Sequence, residues 1–443
     1  MANEWLALSA AELGRGIGDG SIHAVELTEA YLDALASHPD TQRIYARLTP
    51  ERARAEAMAA HGRAKAGLRR GPLDGVPVSW KDLFDTAGTL TEAGSALLAG
   101  RRPERDATVL ERATRAGLVC LGKTHMSELA FSGLGLNPVT ATPPNINDPG
   151  AVPGGSSSGA AASVAFGLAP AAIGSDTGGS VRIPSAWNDL VGLKTTHGRL
   201  PLTGVVPLCE SFDTIGPLCR TVEDCALILA ALDGGKPADL SGTSLVGARL
   251  AVLETAALDD LRPEPARAFE DALSRLAAAG ARIERIAVPA VTEALGLSPI
   301  LFTGEAWGIW RDIIGAAPEK MFPQIYERFR GGASVTAADF VAGWRRLRVL
   351  RAQWTAAVAG FDAVLTPTSP ILPPDAARLM SDSAYYVTEN LLALRNTRIG
   401  NLMDGCALSL PTAVPSCGIQ FLAPPMAEER LLRLGLAAEA ALR

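Results

Sequence analysis

Three polar residues stand in stretches of small and apolar residues, and together they could perform nucleophilic catalysis. Ser180 ends "DTGGS", Ser156 lies upstream in "PGGSSSGAAA", and Lys81 interrupts the apolar "VPVSWKDLF". A lysine buried at the end of such a strand should have a lowered pKa, so that its neutral form can act as a base toward a serine hydroxyl. Taken singly, the same residues also fit a surface turn, a helix N-cap and a lysine paired with a nearby aspartate.

The glycines before Ser180 supply a second element that acyl transfer requires. They allow the backbone to bend so that the N–H groups of four successive residues turn toward one point: Thr177, Gly178, Gly179 and Ser180. Such donors stabilise the oxyanion that forms when a nucleophile attacks a carbonyl group. The apolar stretch entering this loop and the apolar "LVGLK" downstream of it argue against a plain surface turn.

Other catalytic machinery is not visible in the sequence. The five histidines are scattered outside any HExxH or Cys/His pattern, and the six cysteines form no CxxC pair. We therefore expect no metal and no cofactor, and cysteines that are small buried side chains in a reducing compartment. Residues 117–124, "GLVCLGKT", match the P-loop pattern, but a helical pattern precedes them and "LVCL" is typical of a buried strand. Nucleotide binding is therefore not predicted.

Composition excludes several classes of partner. The 443-residue chain has a formal net charge of -6 and no long basic run, which predicts no direct contact with nucleic acid. No apolar stretch reaches the ~18 residues that a membrane span needs. The N-terminal "MANEWLALSAAELG" lacks the basic and apolar regions of a signal peptide. We therefore expect a cytoplasmic protein that does not bind membranes.

The elements that must position the candidate residues alternate between strands and helices. The first seventy residues are predicted to be helical, with a capping-box pattern at Ser9 and Glu12 and with Pro50 at a first helical position. Beyond them, short apolar runs bounded by Gly or Pro predict strands at 75–84, 117–122, 168–176, 190–196, 248–254, 362–368 and 407–415. Helical patterns between several of these runs predict an α/β fold.

The chain shows no linker long enough to separate two domains. The best candidate, "GGKPADLSGT" at 234–243, is predicted to be a loop. We therefore predict one domain over residues 1–443, with a helical segment at about 290–360 added over the sheet.

Three segments together closely resemble the amidase signature family: "PLDGVPVSWKDLFDTAG", "PGGSSSGAAASVAFGLAPAAIGSDTGGSVRIPSAW" and "CGIQFLAP". The resemblance begins at about residue 5 and continues to the C-terminus. It is strongest over about 70–220 and weakens over about 235–400, where members of the family differ in substrate. It implies a mixed, largely parallel twisted β-sheet sandwiched between helices.

The resemblance also implies a catalytic set of Lys81, Ser156 and Ser180. In the implied mechanism, neutral Lys81 takes the proton of Ser156, which takes that of Ser180, and Ser180 attacks the carbonyl to form an acyl-enzyme that water hydrolyses. The peptide bond between Gly155 and Ser156 is expected to be cis.

The implied binding residues surround this set. Ala130 and Phe131 of "THMSELAFSG" would line the acyl pocket, and the N–H groups of residues 177–180 would hold the oxyanion. Asp176 and Arg182 are expected to brace the loop rather than to contact substrate.

The leading hypothesis is a hydrolase, monomeric or homodimeric, that cleaves the C–N bond of a small amide, anilide or carbamate. One alternative is the glutaminase subunit of a tRNA-dependent amidotransferase, although that subunit usually has "GKTNMDEFAMG" where His125, Ser127 and Ser132 occur here. A second is an allophanate- or biuret-type hydrolase of urea derivatives, for which Ser158 in "GGSSS" is a hint. A non-catalytic binding protein is disfavoured because Lys81, Ser156 and Ser180 are all present.

Overall fold

The computed structural model describes residues 2–443 and contains one 11-stranded sheet. The strands, in chain order, are β1 (Tyr45–Leu48), β2 (Pro77–Lys81), β3 (Val119–Thr124), β4 (Ala171–Asp176), β5 (Val191–Lys194), β6 (Thr214–Cys219), β7 (Arg249–Leu253), β8 (Arg282–Ile286), β9 (Ala363–Pro367), β10 (Cys406–Pro411) and β11 (Gly418–Ala423). Their order across the sheet is β1-β3-β2-β4-β6-β5-β10-β11-β9-β7-β8.

Helices connect and flank these strands. The α-helices are α1 (Ala2–Trp5), α2 (Ala10–Asp19), α3 (Ala24–Ser37), α4 (Thr41–Ile44), α5 (Pro50–Lys65), α6 (Thr108–Ala116), α7 (Ser158–Ala165), α8 (Arg182–Trp187), α9 (Val222–Asp233), α10 (Pro263–Ala278), α11 (Ala290–Gly296), α12 (Gly304–Ala316), α13 (Pro323–Arg330), α14 (Ala337–Val358), α15 (Ala376–Ser381), α16 (Ser383–Leu402) and α17 (Glu428–Leu442). Short 3₁₀ helices lie at Ala96–Leu98, Glu128–Ala130, Pro318–Lys320 and Gly331–Ser334, and a π-helical turn lies at Pro299–Thr303. None of the helices within residues 2–443 combines the length and apolar character required to cross a membrane.

The sheet is mixed, and its parallel pairs lie in two separate blocks. Strand β2 runs parallel to both β3 and β4, and β7 runs parallel to both β8 and β9. The pairs between and outside these blocks are antiparallel. A mixed sheet flanked by helices is therefore confirmed, with antiparallel pairing through its middle.

Most of the predicted elements are present. Every apolar run predicted as a strand contains one, residues 234–243 form a loop, and the 290–360 segment is helical. Ser9 and Glu12 form the predicted capping box at the start of α2. The prediction of helices alone in the first seventy residues was wrong at β1, a half-buried four-residue edge strand that pairs with β3.

The P-loop-like segment is a helix end followed by a strand, as predicted. Gly117 terminates α6 with a positive φ of 94°, and residues 119–124 form the buried strand β3. Lys123 is fully buried and forms an ion pair with Asp82, 3.2 Å away. Its ammonium group is therefore occupied within the core.

The parallel block around β2 positions the candidate residues. Strands β2, β3 and β4 are buried along their whole length, and the carboxyl ends of parallel strands meet at one edge of a sheet, where ligands commonly bind. Lys81 is the last residue of β2, and Asp176 is the last residue of the neighbouring β4. The loop carrying Ser180 leaves β4 at this same edge.

Candidate active site

Lys81 contacts two serine hydroxyls from different parts of the chain. Its Nζ donates to Ser156 Oγ at 2.7 Å and to Ser175 Oγ at 2.9 Å. Ser175 lies on β4, beside β2, so the strand pairing that holds Lys81 also presents this second hydroxyl. Sequence reasoning did not assign Ser175 a role, although it lies in "GSDTGGS" directly before Asp176.

Burial controls the charge of Lys81. The side chain is fully buried, which lowers its pKa to about 7, while the carboxylates of Asp176 and Asp213 oppose that shift. A lysine in water has a pKa of about 10.4 and is almost wholly protonated at neutral pH. At pH 7 a large fraction of Lys81 is therefore neutral and can accept a proton.

Ser156 is fixed between a glycine turn and the helix α7. The Gly155–Ser156 peptide bond is cis, as predicted. Ser157 is the N-cap of α7, and its N–H donates to the carbonyl oxygen of Ser180 at 3.3 Å. This backbone hydrogen bond holds the two serine-bearing segments side by side.

Asp176 organises the loop that carries Ser180. Its carboxylate accepts the N–H groups of Gly179 at 2.8 Å and Val181 at 3.1 Å, and it pairs with Arg182 at 2.9 Å. Burial raises the pKa of Asp176, but the charge and hydrogen bonds of Arg182 outweigh that effect and hold it well below its ordinary value. The charged pair is fully buried and fixes the loop from behind.

Gly179 faces away from the pocket, in contrast to its neighbours. Its φ is 137°, and a Cβ there would overlap Thr397 Oγ1. Because its N–H already donates to Asp176, it is not directed at a substrate oxygen. Thr177, Gly178 and Ser180 do line the pocket.

Thr177 is anchored by a second buried carboxyl group. Its Oγ1 donates to Asp213, which also accepts the N–H groups of Leu208 and Cys209. Burial raises the pKa of Asp213 to about 6 against these hydrogen bonds. The loop is thus held at both ends by carboxyl groups that do not face the pocket.

A pocket of about 470 Å³ opens above Ser180 and has two walls. The signature wall consists of Ala130, Phe131, Ser132, Thr177, Gly178, Ser180 and Leu208. The helical wall consists of Ser298, Pro299, Phe302, Thr303, Pro323, Gln324, Glu327, Arg328, Gly331, Ser383, Tyr386, Val387, Asn390, Leu391, Leu394 and Arg398. The structure thus brings Ala130 and Phe131 to the same pocket as Ser180, while sequence reasoning identified none of the helical wall.

The residues that differ from the glutaminase-subunit motif occupy distinct places. His125 is buried outside the pocket, and burial lowers its pKa to about 4. Ser127 is buried with no hydrogen-bond partner for its Oγ. Ser132 lines the pocket and accepts a hydrogen bond from Tyr386 at 3.0 Å.

No group of three His, Cys, Asp or Glu side chains in the described part of the chain could hold a metal ion. The polar groups available for chemistry in the pocket region are hydroxyls, backbone N–H groups, one neutralisable lysine and two arginines of the helical wall.

Comparison with known proteins agrees with this geometry. The sequence model of the Amidase family matches residues 26–432. The chain is 37% identical to a 2-amino-5-chloromuconic acid deaminase of Comamonas testosteroni, covering 94% of this chain and 95% of the relative. It is 32% identical to a glutamyl-tRNA(Gln) amidotransferase subunit of Thermobifida fusca, covering 99% and 97%.

A solved structure extends the likeness to three dimensions. The native peptide amidase of Stenotrophomonas maltophilia superposes with a TM-score of 0.82 at 27% identity, covering 99% of this chain and 97% of that one. Sequence family, fold and buried lysine–serine contact all agree. The chain therefore belongs to the Amidase family and is an amidohydrolase.

Proposed function

We propose that the chain hydrolyses the C–N bond of a small amide, anilide or carbamate, with Ser180 as nucleophile, Ser156 as proton relay and Lys81 as base. The observation that carries this assignment is the 2.7 Å contact between Lys81 Nζ and Ser156 Oγ. It joins a lysine with a pKa of about 7 to the segment that is bonded to Ser180. The relay activates a weak nucleophile without histidine.

The proposed steps balance in protons. Neutral Lys81 takes the proton of Ser156 while Ser156 takes that of Ser180, and the Ser180 oxygen forms a bond to the carbonyl carbon. Collapse of the tetrahedral intermediate breaks the C–N bond, and Ser156 returns a proton to the leaving nitrogen while Lys81 reprotonates it. Water, deprotonated through the same relay, then releases the acid and restores Ser180.

The oxyanion and acyl sites follow from the signature wall. We assign the oxyanion donors to the N–H groups of Thr177, Gly178 and Ser180, since that of Gly179 is bonded to Asp176. Ala130 and Phe131 are assigned to the acyl part of the substrate. Asp176 and Arg182 are positioning residues because both are fully buried behind the loop.

We further propose a division of labour within one domain of residues 1–443. Residues of about 70–220 supply the catalytic groups, and the divergent segment of about 235–400 supplies the substrate-facing wall. The composition of the two walls supports this division, since every residue of the helical wall falls within 298–398.

The remaining proposals concern the surroundings of the enzyme. We propose a monomer or homodimer in the cytoplasm that has no direct contact with nucleic acid. Six unpaired, buried cysteines support a reducing compartment, and a net charge of -6 argues against a polyanionic partner.

A second candidate is the glutaminase subunit of a tRNA-dependent amidotransferase, because a curated protein of that description covers nearly the whole chain. A role in urea-derivative hydrolysis has weaker support. The Ser158 hydroxyl that suggested it donates to the carbonyl of His125 at 3.4 Å and does not line the pocket.

The test is labelling with a serine-reactive fluorophosphonate, followed by intact-mass and peptide analysis. We expect one adduct, on Ser180, and hydrolysis of at least one class in a panel of amides, anilides, carbamates and ureas. Labelling at another residue would refute the assignment. Release of ammonia from glutamine only after a partner subunit is added would favour the second candidate.

A further inference from the structure

Two arginines of the helical wall have no counter-charge. Arg328 lies on α13 and Arg398 on α16, and both side chains are partly buried at the pocket. Within residues 2–443 neither guanidinium forms an ion pair or hydrogen bond with a protein group, and Arg328 Nε is buried without a partner. The acidic residue of this wall, Glu327, is exposed and pairs instead with Arg330 at 2.7 Å.

This arrangement is unfavourable for the protein alone. Burial lowers the pKa of Arg328, and burial together with the charge of Arg328 lowers that of Arg398 to about 9. Two like charges in a partly desolvated cleft repel each other and lack the hydration that an exposed arginine retains. A bound anion would neutralise both, whereas a neutral ligand would leave the repulsion unrelieved.

The two guanidinium groups stand near the groups proposed to react. Arg398 Nε lies 4.0 Å from the position that a Cβ on Gly178 would occupy. The neighbouring Thr397 hydroxyl donates to the Gly178 carbonyl at 2.7 Å. Arg328 lies over the ring of Phe131, with Cζ 4.6 Å from the ring centroid. One cation therefore borders the nucleophile loop, and the other borders the proposed acyl site.

The rest of the pocket is suited to a short hydrocarbon spacer. Phe131, Leu394 and Phe302 line it, and apolar surface dominates its lining. A substrate with a charged end and a reacting end would thus have an apolar path between the two. Guanidinium groups bind a planar carboxylate well because their N–H donors match its two oxygens.

We propose that Arg328 and Arg398 together bind a carboxylate on the acyl part of the substrate, so that the preferred substrates are half-amides of short dicarboxylic acids. This inference rests on the proposed function, because it places the carboxylate on an amide that Ser180 attacks. The two arginines set specificity and take no part in the proton relay.

The test is calorimetric titration of the Ser180→Ala chain, in which the ligand is not consumed. Succinamate and glutaramate are compared with succinamide and glutaramide, which have the same shape without the charge. We expect each half-amide to bind at least about tenfold more tightly than its diamide, in keeping with charge-assisted hydrogen bonds. Arg328→Gln and Arg398→Gln should each reduce this ratio about tenfold.

Two further variants separate charge recognition from structural damage. Arg330→Gln, on the same helix but outside the pocket, should keep the wild-type ratio. Arg398→Lys should restore part of it, since lysine keeps the charge but not the planar donor pair. A general loss of packing would weaken half-amide and diamide alike and leave their ratio unchanged.

Equal binding of half-amides and diamides, no measurable binding of either half-amide, or an unchanged ratio in both glutamine variants would overturn the inference. These outcomes are distinct from failure of the proposed function. Binding is measured without turnover, whereas the proposed function is tested by labelling of Ser180 and hydrolysis of amides.

Discussion

The two walls of the pocket treat their arginines in opposite ways. Behind the signature wall, Arg182 is fully buried and its donors reach Asp176, Asn401, Gln420 and the Thr397 carbonyl. In the helical wall, Arg328 and Arg398 face the pocket without a partner. The comparison teaches that groups fixing the catalytic geometry are satisfied within the fold, whereas groups available to select a substrate are left for the ligand to satisfy.

The largest effect should come from the signature wall itself. Ser180→Ala removes the proposed nucleophile and should lower kcat/KM by about 10³-fold or more while the protein still folds. The matched control is Ser185→Ala, five residues further along the chain. That hydroxyl is buried without a hydrogen-bond partner, and its loss should leave activity nearly unchanged. Amide hydrolysis and fluorophosphonate labelling of both variants measure the difference. Substantial activity in Ser180→Ala would contradict the assignment.

Replacement of Lys81 should lower activity and remove a pH dependence. Wild-type kcat/KM should rise with pH through about 7, because deprotonation of Lys81 creates the base. Lys81→Met should lose about 10²- to 10⁴-fold in rate together with this rise. Lys81→Arg should be no better, since arginine stays protonated. His125, with a pKa of about 4, cannot supply the rise.

Exposed Lys320→Met is the control for lysine replacement and should keep the wild-type pH profile. Near-normal rates in Lys81→Arg would show that position 81 needs only a positive charge, and the relay through Ser156 would be wrong.

Asp176→Asn should affect stability as well as rate. The substitution keeps the side-chain shape but leaves the buried Arg182 charge uncompensated, which should lower the free energy of unfolding by about 3–5 kcal/mol. Urea denaturation measures this loss. Glu293→Gln, which breaks the half-exposed pair with Arg346, is the control and should leave the transition almost unmoved. An unchanged midpoint in Asp176→Asn would mean that the buried pair does not brace the loop.

Adjacent glycines provide a sharper comparison within one loop. Gly179→Ala should destabilise the protein by at least about 1–3 kcal/mol, because its φ of 137° disfavours a side chain and its Cβ would overlap Thr397. At Gly178 a Cβ would meet Leu394 Cδ2 at an ordinary 3.7 Å, so Gly178→Ala should fold normally. Thermal unfolding of the two variants tests this. Equal stability would show that the loop is freer to move than its contacts indicate.

The smallest effect should appear at the rim of the helical wall. Leu391 is 48% exposed, so Leu391→Gln should change stability by less than about 0.5 kcal/mol. Its position in the pocket should still raise KM, by less than about tenfold, without lowering kcat. Val349→Gln, similarly exposed on α14 but outside the pocket, should change neither constant. A large fall in kcat at Leu391 would mean that the walls do not divide their roles as proposed.

The strands that sequence reasoning missed share weak local signals. Strand β8, "RIERI", is an edge strand with exposed charges, and β1 has four residues between two helices. In β6 the pair Gly216 and Pro217 interrupts the apolar run, although the whole strand is buried. The residues of β11 were used only as a family motif. Partners elsewhere in the sheet stabilise these segments, so a local pattern was insufficient to predict them.

The candidate site divides in the same way. Lys81, Ser156, Ser180 and the glycine loop were predicted because a lysine in an apolar run and hydroxyls among glycines are unusual locally, and because the motifs resemble a family. Ser175 and the helical wall were not. Their importance comes from neighbours distant in the chain, as when Tyr386 reaches Ser132 across the pocket.

By itself, the sequence determined the class of fold, the segments that carry the reactive groups and the type of chemistry, since these depend on residue type and local spacing. Only the tertiary structure decided that Lys81 is desolvated enough to be neutral near pH 7 and that the Gly179 N–H is bonded to Asp176. It alone decided that Arg328 and Arg398 share one pocket without a counter-ion. Burial and the pairing of charges are set by segments that meet only when the sheet and its helices pack together.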